Sequence, residues 1–304
     1  MTLRLSQAIS DFLDHAEIGK AQSMRTVRNY THYLKRFEKF VGDIDVEKVD
    51  LDLLGKYRLS LNRLDDGKGG QLLSRKTQNY HIIALRALLK FLIRKGHDVL
   101  APEKVDLGKA EAREVSFLER DELEGLLDSI DVSTPAGLRD RTIIEMLYST
   151  GLRVSEIASL DRDQVSLERG EFMIKGKGRK TRIVFISDRC REWLEKYLSS
   201  RSDPLDPLFV NLRAKDKDAL STKANRLSTV SIEAIVRKYA RLSGLVKKVT
   251  PHTLRHTFAT QLLMNGADIR SVQEMLGHAS IATTQVYTHI TNAKLREVHR
   301  KFHE

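Results

Sequence analysis

With 304 residues, 41% of them hydrophobic, the chain is long enough for two domains that each bury a core and too polar for a membrane protein. Its longest apolar stretches, such as Ala87 to Ile93, are cut by charge and fall well short of the roughly 20 residues a bilayer requires. A formal charge of +11 favours an anionic partner such as nucleic acid, and a single cysteine, Cys190, excludes a disulfide framework and a cysteine-rich metal site. Polar residues recur throughout the first eleven positions, so no signal peptide is expected and the chain reads as cytoplasmic.

The first hundred residues carry helical periodicity throughout. Leu5, Ala8, Ile9, Phe12, Leu13 and Ala16 mark a first helix. Ser23 caps a second, with Val27, Tyr30, Leu34, Phe37 and Val41 on one face and Gly42 ending it. A third runs from about Asp50 to Leu64, and the polar loop Asp65 to Gly70 separates it from a fourth between Ser74 and Gly96. That fourth helix sets Ile82, Ile83, Leu85, Leu88, Leu89 and Leu92 toward a core. Its first half offers Arg75, Lys76, Gln78, Asn79 and Arg86, side chains suited either to phosphates and base edges or to plain solvent.

The pattern lapses between His97 and Arg113, which reads as a linker with Pro102 and Gly108. Helical spacing resumes at Leu118, Leu123, Leu126 and Leu127, then at Ile143, Ile144, Leu147 and Tyr148. Around Gly170 to Ile186 the period changes to two. Phe172 and Ile174 alternate with charges, Gly176-Lys177-Gly178 supplies a turn, and Ile183 to Ile186 is β-rich, so a hairpin is expected. Helices return from Ser187, with Cys190 on an apolar face beside Trp193, Leu194, Tyr197 and Leu198. The stretch Leu212 to Arg226, rich in Lys and Asp, looks like an insertion.

Candidate chemistry lies in this second half. Gly151 ends one helix and the chain restarts at once, so Arg153 can point away from Leu152, Val154 and Ile157; the plain alternative is a surface arginine paired with Glu156. Lys177 sits at the hairpin tip beside Arg179, either against a ligand or as a basic turn that discourages edge pairing. Thr250-Pro251 opens a helix that should run to Asn265 and bury Leu254, Phe258 and Leu262. On its other face His252 and Arg255 would make a donor-rich pocket for an oxyanion, or an exposed pair at a helix start. A further helix begins at Asp268 and stops at Gly277, with His278 just beyond. Tyr287 falls among polar neighbours, Thr284, Gln285, Thr288 and His289, and tells little alone.

Order and company carry more than any one of these. Arg153 within Thr-Gly-Leu-Arg-Val-Ser-Glu, Lys177 in a β-turn, His252-x-x-Arg255, Leu276-Gly277-His278 and Tyr287 nine residues on resemble the tyrosine recombinase (phage integrase) family, most closely its Xer-type members. Ser74-x-x-Thr77 leading to Ala84-Leu85-Arg86 and Phe91 resembles the last long helix of the family's N-terminal domain, so the likeness covers nearly the whole chain. The resemblance implies a mostly α, SAM-like core-binding domain over residues 1–98, a linker over 99–113, and a mixed α/β, helix-rich catalytic domain over 114–304 with a small antiparallel sheet, the DNA breaking-rejoining fold. It implies Tyr287 as nucleophile, Arg153 and Arg255 on the scissile phosphate, and His278 donating to it. His252 would be base or proton manager and Lys177 the acid for the leaving 5′-oxygen, with Glu156 in support. Arg75, Lys76, Arg86 and Arg179 would touch DNA.

A phosphodiester gathers charge on its non-bridging oxygens during attack, which two guanidiniums answer with fixed donors. No nucleotide cofactor is expected, because the bond energy stays in the phosphotyrosyl link, and no metal, because there is no phosphate-binding glycine loop, no His-Glu-x-x-His and no carboxylate set near these motifs. The implied partners are double-stranded DNA with paired half-sites and further copies of the chain, four in a synapse, joined by a tail from about residue 292 whose stripe Leu295, Val298 and Phe302 docks on the neighbouring subunit or, as the plain alternative, packs on its own domain. A paralogous partner or accessory protein stays open, as does the choice between chromosome-dimer resolution and mobile-element integration. A monomeric type IB topoisomerase is the alternative within the same chemistry, and a DNA-binding regulator with a dead site the alternative outside it.

Overall fold

Local capping sets the helices of the N-terminal half. The computed structural model describes residues 2–20, 22–65, 72–109, 116–176, 181–212 and 225–277. Helix α1 (Leu5–Asp14) buries Leu5, Ala8, Ile9 and Phe12 and runs on into one π-helical turn, His15–Gly19, which sequence periodicity does not distinguish. Helix α2 (Met24–Val41) starts where the Ser23 hydroxyl accepts the Thr26 N–H and ends at Gly42, φ 80°. In α3 (Leu51–Asn62) Asp50 accepts the Leu53 N–H at 2.8 Å, and in α4 (Arg75–Arg94) Ser74 does the same for Thr77 at 3.3 Å. These helices share one core of Leu34, Phe37, Tyr57, Leu85, Leu88 and Leu92. Ile83, expected inside, is 39% exposed, while Ala84 and Phe91 are buried.

Residues after α4 stay with this unit, which clusters as residues 1–113. Pro102–Lys104 form a 3-10 turn and Val105 joins the helical core. Arg58 donates to the Asp106 carbonyl at 2.9 Å, and Asn79 exchanges two hydrogen bonds with the backbone of Gly108. Asn79 is thereby taken up by structure, although its type and place suggest base contact. Arg75 and Lys76 are exposed and Arg86 is half-buried, and none of the three makes an ion pair among the described residues.

The second unit, residues 114–304, is built around a helix buried on all sides. In order come α5 (Arg120–Asp128), α6 (Pro135–Thr150), α7 (Val154–Ser159), β1 (Glu171–Lys175), β2 (Thr181–Phe185), α8 (Asp188–Ser199), α9 (Thr229–Leu242), α10 (Pro251–Met264) and α11 (Ile269–Leu276). The central helix is α6, whose Ile143, Ile144, Met146 and Leu147 pack against α8 and α10. It also buries charge, which is costly unless paired. Arg139 meets Asp140 at 2.6 Å, and Glu145 receives Arg141 at 3.1 Å and Arg189 at 2.8 Å. The expected hairpin is present: β1 and β2 pair antiparallel with Phe172 opposite Val184 and Ile174 opposite Arg182. Cys190 is fully buried core, and burial pushes its thiol up to about 12. Most of the loop Asp65 to Gly70 and of the stretch Leu212 to Arg226 lies outside the described residues. No helix among the described residues is long and apolar enough to cross a membrane.

Candidate active site

The end of α6 sets the first functional side chain. Gly151 closes that helix in the left-handed region, φ 60° and ψ 23°, and a Cβ there would sit 2.6 Å from the ring of Phe258. Only glycine combines that backbone with so close an approach. Two residues on, Arg153 is the extended N-cap of α7, and the Glu156 carboxylate reaches back to its N–H at 2.8 Å. The Arg153 guanidinium donates to Glu156 Oε1 at 2.9 Å and to the Gly277 carbonyl at 3.2 Å, with a third of the side chain still exposed. The pairing with Glu156 considered as the plain alternative therefore exists, and it is one part of a larger cluster.

Helix α10 delivers the second arginine. Thr250 accepts the Thr253 N–H, Pro251 occupies the first helical position, and the helix runs to Met264 with Asn265 as its C-cap, as the sequence indicates. Its buried side is broader than one stripe. Thr253, Thr257, Thr260 and Arg255 are buried with Leu254, while Phe258 and Leu262 are half-covered. Arg255, 4% exposed, donates to the Gly151 carbonyl at the end of α6 and to the Leu276 carbonyl at the end of α11. His252, one turn back, is exposed. The two residues expected on one face thus differ sharply in burial, because the helix ends that Arg255 caps lie inside the unit.

Helix α11 is the meeting point. Asp268 caps its start by accepting the Arg270 and Ser271 N–H groups, and Gly277 ends it at φ 61°. A helix terminus leaves carbonyls without partners, and cations are favourable there. Three consecutive carbonyls are taken by three different arginines: Met275 by Arg182 Nε at 3.1 Å, Leu276 by Arg255, and Gly277 by Arg153. Arg182 also grips Glu156 with two parallel bonds of 2.9 and 2.7 Å. Burial would raise the Glu156 carboxyl, but the Arg182 hydrogen bonds, the Arg153 N–H and both positive charges hold it at about 2. Two guanidiniums on one carboxylate, with a third on the neighbouring Leu276 carbonyl, leave these four side chains net positive, which suits an anion that gathers charge.

Of the residues singled out by sequence, Arg153 and Arg255 are brought onto adjacent carbonyls, Glu156 supports the first, and His252 sits on the exposed start of the helix that carries the second. Lys177, Arg179, His278 and Tyr287 lie outside the described residues. Arg182 was missed. It stands two positions before Val184, and the burial pattern of β2 is what puts both on the inward face.

Comparison with known proteins agrees along the whole chain. Residues 116–294 match the phage integrase family and residues 9–96 the phage integrase N-terminal SAM-like domain. Tyrosine recombinase XerD of Oceanobacillus iheyensis is 37% identical over 313 aligned residues, covering 98% of this chain and 99% of the relative. The XerH site-specific recombinase, solved bound to palindromic difH substrate in a post-cleavage complex, is 26% identical with a TM-score of 0.73, over 99% of this chain and 85% of the other. The Tn1549 transposon integrase, solved with transposon right end DNA, is 18% identical and shares the fold at a TM-score of 0.78, over 99% and 100%.

Proposed function

The chain belongs to the phage integrase family and is an Xer-type tyrosine recombinase, an enzyme that cuts and rejoins DNA at specific sites, and on that premise we propose how its own residues divide the work. Arg153 and Arg255 clamp the scissile phosphate, meeting charge where it grows on the non-bridging oxygens. The Tyr287 hydroxyl attacks phosphorus, the Tyr–O–P bond forms, and the P–O5′ bond breaks to leave a 3′-phosphotyrosyl link. A tyrosine of pKa about 10 is ionised about one part in a thousand at neutral pH, so His252 takes its proton as it attacks. Lys177 protonates the leaving 5′-oxygen and His278 donates a hydrogen bond to the phosphate. A 5′-hydroxyl then reverses the step on a new strand, with no metal and no nucleotide cofactor.

The observation that carries this reading is the convergence of Arg153 and Arg255 on the carbonyls of residues 276 and 277, next in sequence to His278. Arg153 uses two of its five N–H donors on described partners, and its exposed part offers the rest to a ligand. The unit of residues 1–113 clamps double-stranded DNA with Arg75, Lys76 and Arg86, and residues 114–304 cut, with Arg179 adding a phosphate contact. The solved complex of XerH with its substrate supports a DNA partner. Exchange between two sites, each a pair of half-sites holding two copies, needs four copies acting together in the cytoplasm, and the tail from about residue 292 is the proposed contact between them.

A nicked duplex that traps the covalent product tests the clamp. Arg153→Ala and Arg255→Ala should each lower adduct formation by about 100–1000-fold while gel-shift binding stays within a few-fold of wild type. Adduct formation at the wild-type rate by either variant would remove that arginine from the phosphate.

A further inference from the structure

We infer that Arg182 is a positioning residue of this site, and that it keeps Arg153 available to the phosphate by holding the Glu156 charge for itself. The inference rests on the reading of Arg153 and Arg255 as the phosphate clamp. Arg182 enters from β2, opposite Ile174, and its side chain is 10% exposed. All of its hydrogen bonds among the described residues point inward. Nη1 and Nη2 take the two oxygens of Glu156 and Nε takes the Met275 carbonyl. A guanidinium so engaged does not reach DNA, so its effect must pass through its neighbours.

Two consequences follow from that geometry. The first is electrostatic. Arg153 and Arg182 compete for one carboxylate, and Arg182 holds it with two charge-assisted bonds against a single side-chain bond from Arg153. Without Arg182 the Glu156 carboxylate would have only Arg153 to neutralise, and the net charge of the four described side chains Arg153, Arg182, Arg255 and Glu156 would fall from +2 to +1 (three guanidiniums or two, less one carboxylate). The second is mechanical. Arg182 ties the hairpin to the end of α11, and it passes so close beneath Gly277 that a Cβ there would lie 3.0 Å from Arg182 Cδ. In sequence the hairpin turn carries Lys177, and α11 is followed at once by His278. One side chain therefore joins the segments that lead to two of the proposed catalytic groups, Lys177 and His278.

The test compares a normal scissile phosphate with a methylphosphonate, which is neutral and makes less demand on positive charge, in the full-length protein on a nicked substrate. R182Q should slow cleavage of the phosphate by about 10–100-fold, less than loss of a direct donor, and slow the methylphosphonate by no more than about threefold. Adding E156Q to R182Q removes the stranded carboxylate and returns the net charge to +2, so E156Q/R182Q should recover most of the phosphate rate. R182K keeps the charge, gives up the parallel pair, and should fall between. Equal slowing of both substrates by R182Q, or a double variant as slow as R182Q, would overturn the inference. Should R182Q fail to fold, R182K and E156Q/R182Q carry the same comparison, and equal losses on both substrates again overturn it. R153A separates this from the underlying reading. Wild-type cleavage by R153A defeats the clamp itself, whereas a slow R153A beside a wild-type R182Q defeats only the role of Arg182.

Discussion

Glu156→Gln keeps the size of the side chain and removes the charge shared by Arg153 and Arg182, which isolates the electrostatic part of the site's stability. The carboxyl is held at about 2 against an ordinary 4.5, which at about 1.4 kcal/mol per pH unit corresponds to roughly 3 kcal/mol. Breaking a buried ion pair by removing one partner costs about 3–5 kcal/mol, a figure of the same size reached by another route. Because the folded value lies below the unfolded one, the contribution is complete above 4.5 and is lost as the pH falls toward 2. The single tryptophan, Trp193, sits on α8 in the second unit, so urea unfolding followed by its fluorescence reports on that unit. Wild type should exceed Glu156→Gln by about 3 kcal/mol at neutral pH, and below 4.5 the gap should narrow by about 1.4 kcal/mol per pH unit. A gap that stays constant from neutral pH down to about pH 3 would show that no ionised, guanidinium-held carboxylate sits at position 156.

Gly151→Ala places a Cβ in the left-handed region and 2.6 Å from the Phe258 ring, so the same fluorescence assay should show a loss of about 2 kcal/mol or more; an unchanged midpoint would mean that α6 can end another way. Deleting the residues after Thr291 should leave single-site gel shifts near normal and weaken plasmid resolution, whereas unchanged resolution would rule out the tail as the contact between subunits.

Helix starts were the most legible part of the chain. Ser23, Asp50, Ser74, Thr250 and Asp268 each accept the backbone N–H that a cap requires, because a cap is decided within three or four residues. Helix ends at Gly151 and Gly277 and the period-two hairpin were legible for the same reason. The burial of Arg255 was not, since it depends on Gly151, 104 residues away, and on the end of α11. Arg182 was overlooked because Thr181-Arg182 reads as a charged lead-in to an apolar run. Only strand pairing reveals that Arg182 and Val184 face inward while Ile183 and Phe185 are exposed. Val105 likewise gave no warning, being an isolated apolar residue between charges that nevertheless completes the helical core. The expectations for Lys177, Arg179, His278 and Tyr287 rest on motif order, since those residues lie outside the described ones.

Mass spectrometry of the trapped protein–DNA adduct, after digestion with nuclease and trypsin, addresses the chemistry at its centre. Cleavage after Arg270 and Lys294 releases residues 271–294, in which Tyr287 is the sole tyrosine. That peptide should carry a nucleotide joined through its 3′-phosphate to Tyr287, and Tyr287→Phe should bind DNA normally and yield no adduct. A nucleotide found on any other residue, or an adduct formed by Tyr287→Phe, would contradict Tyr287 as the nucleophile.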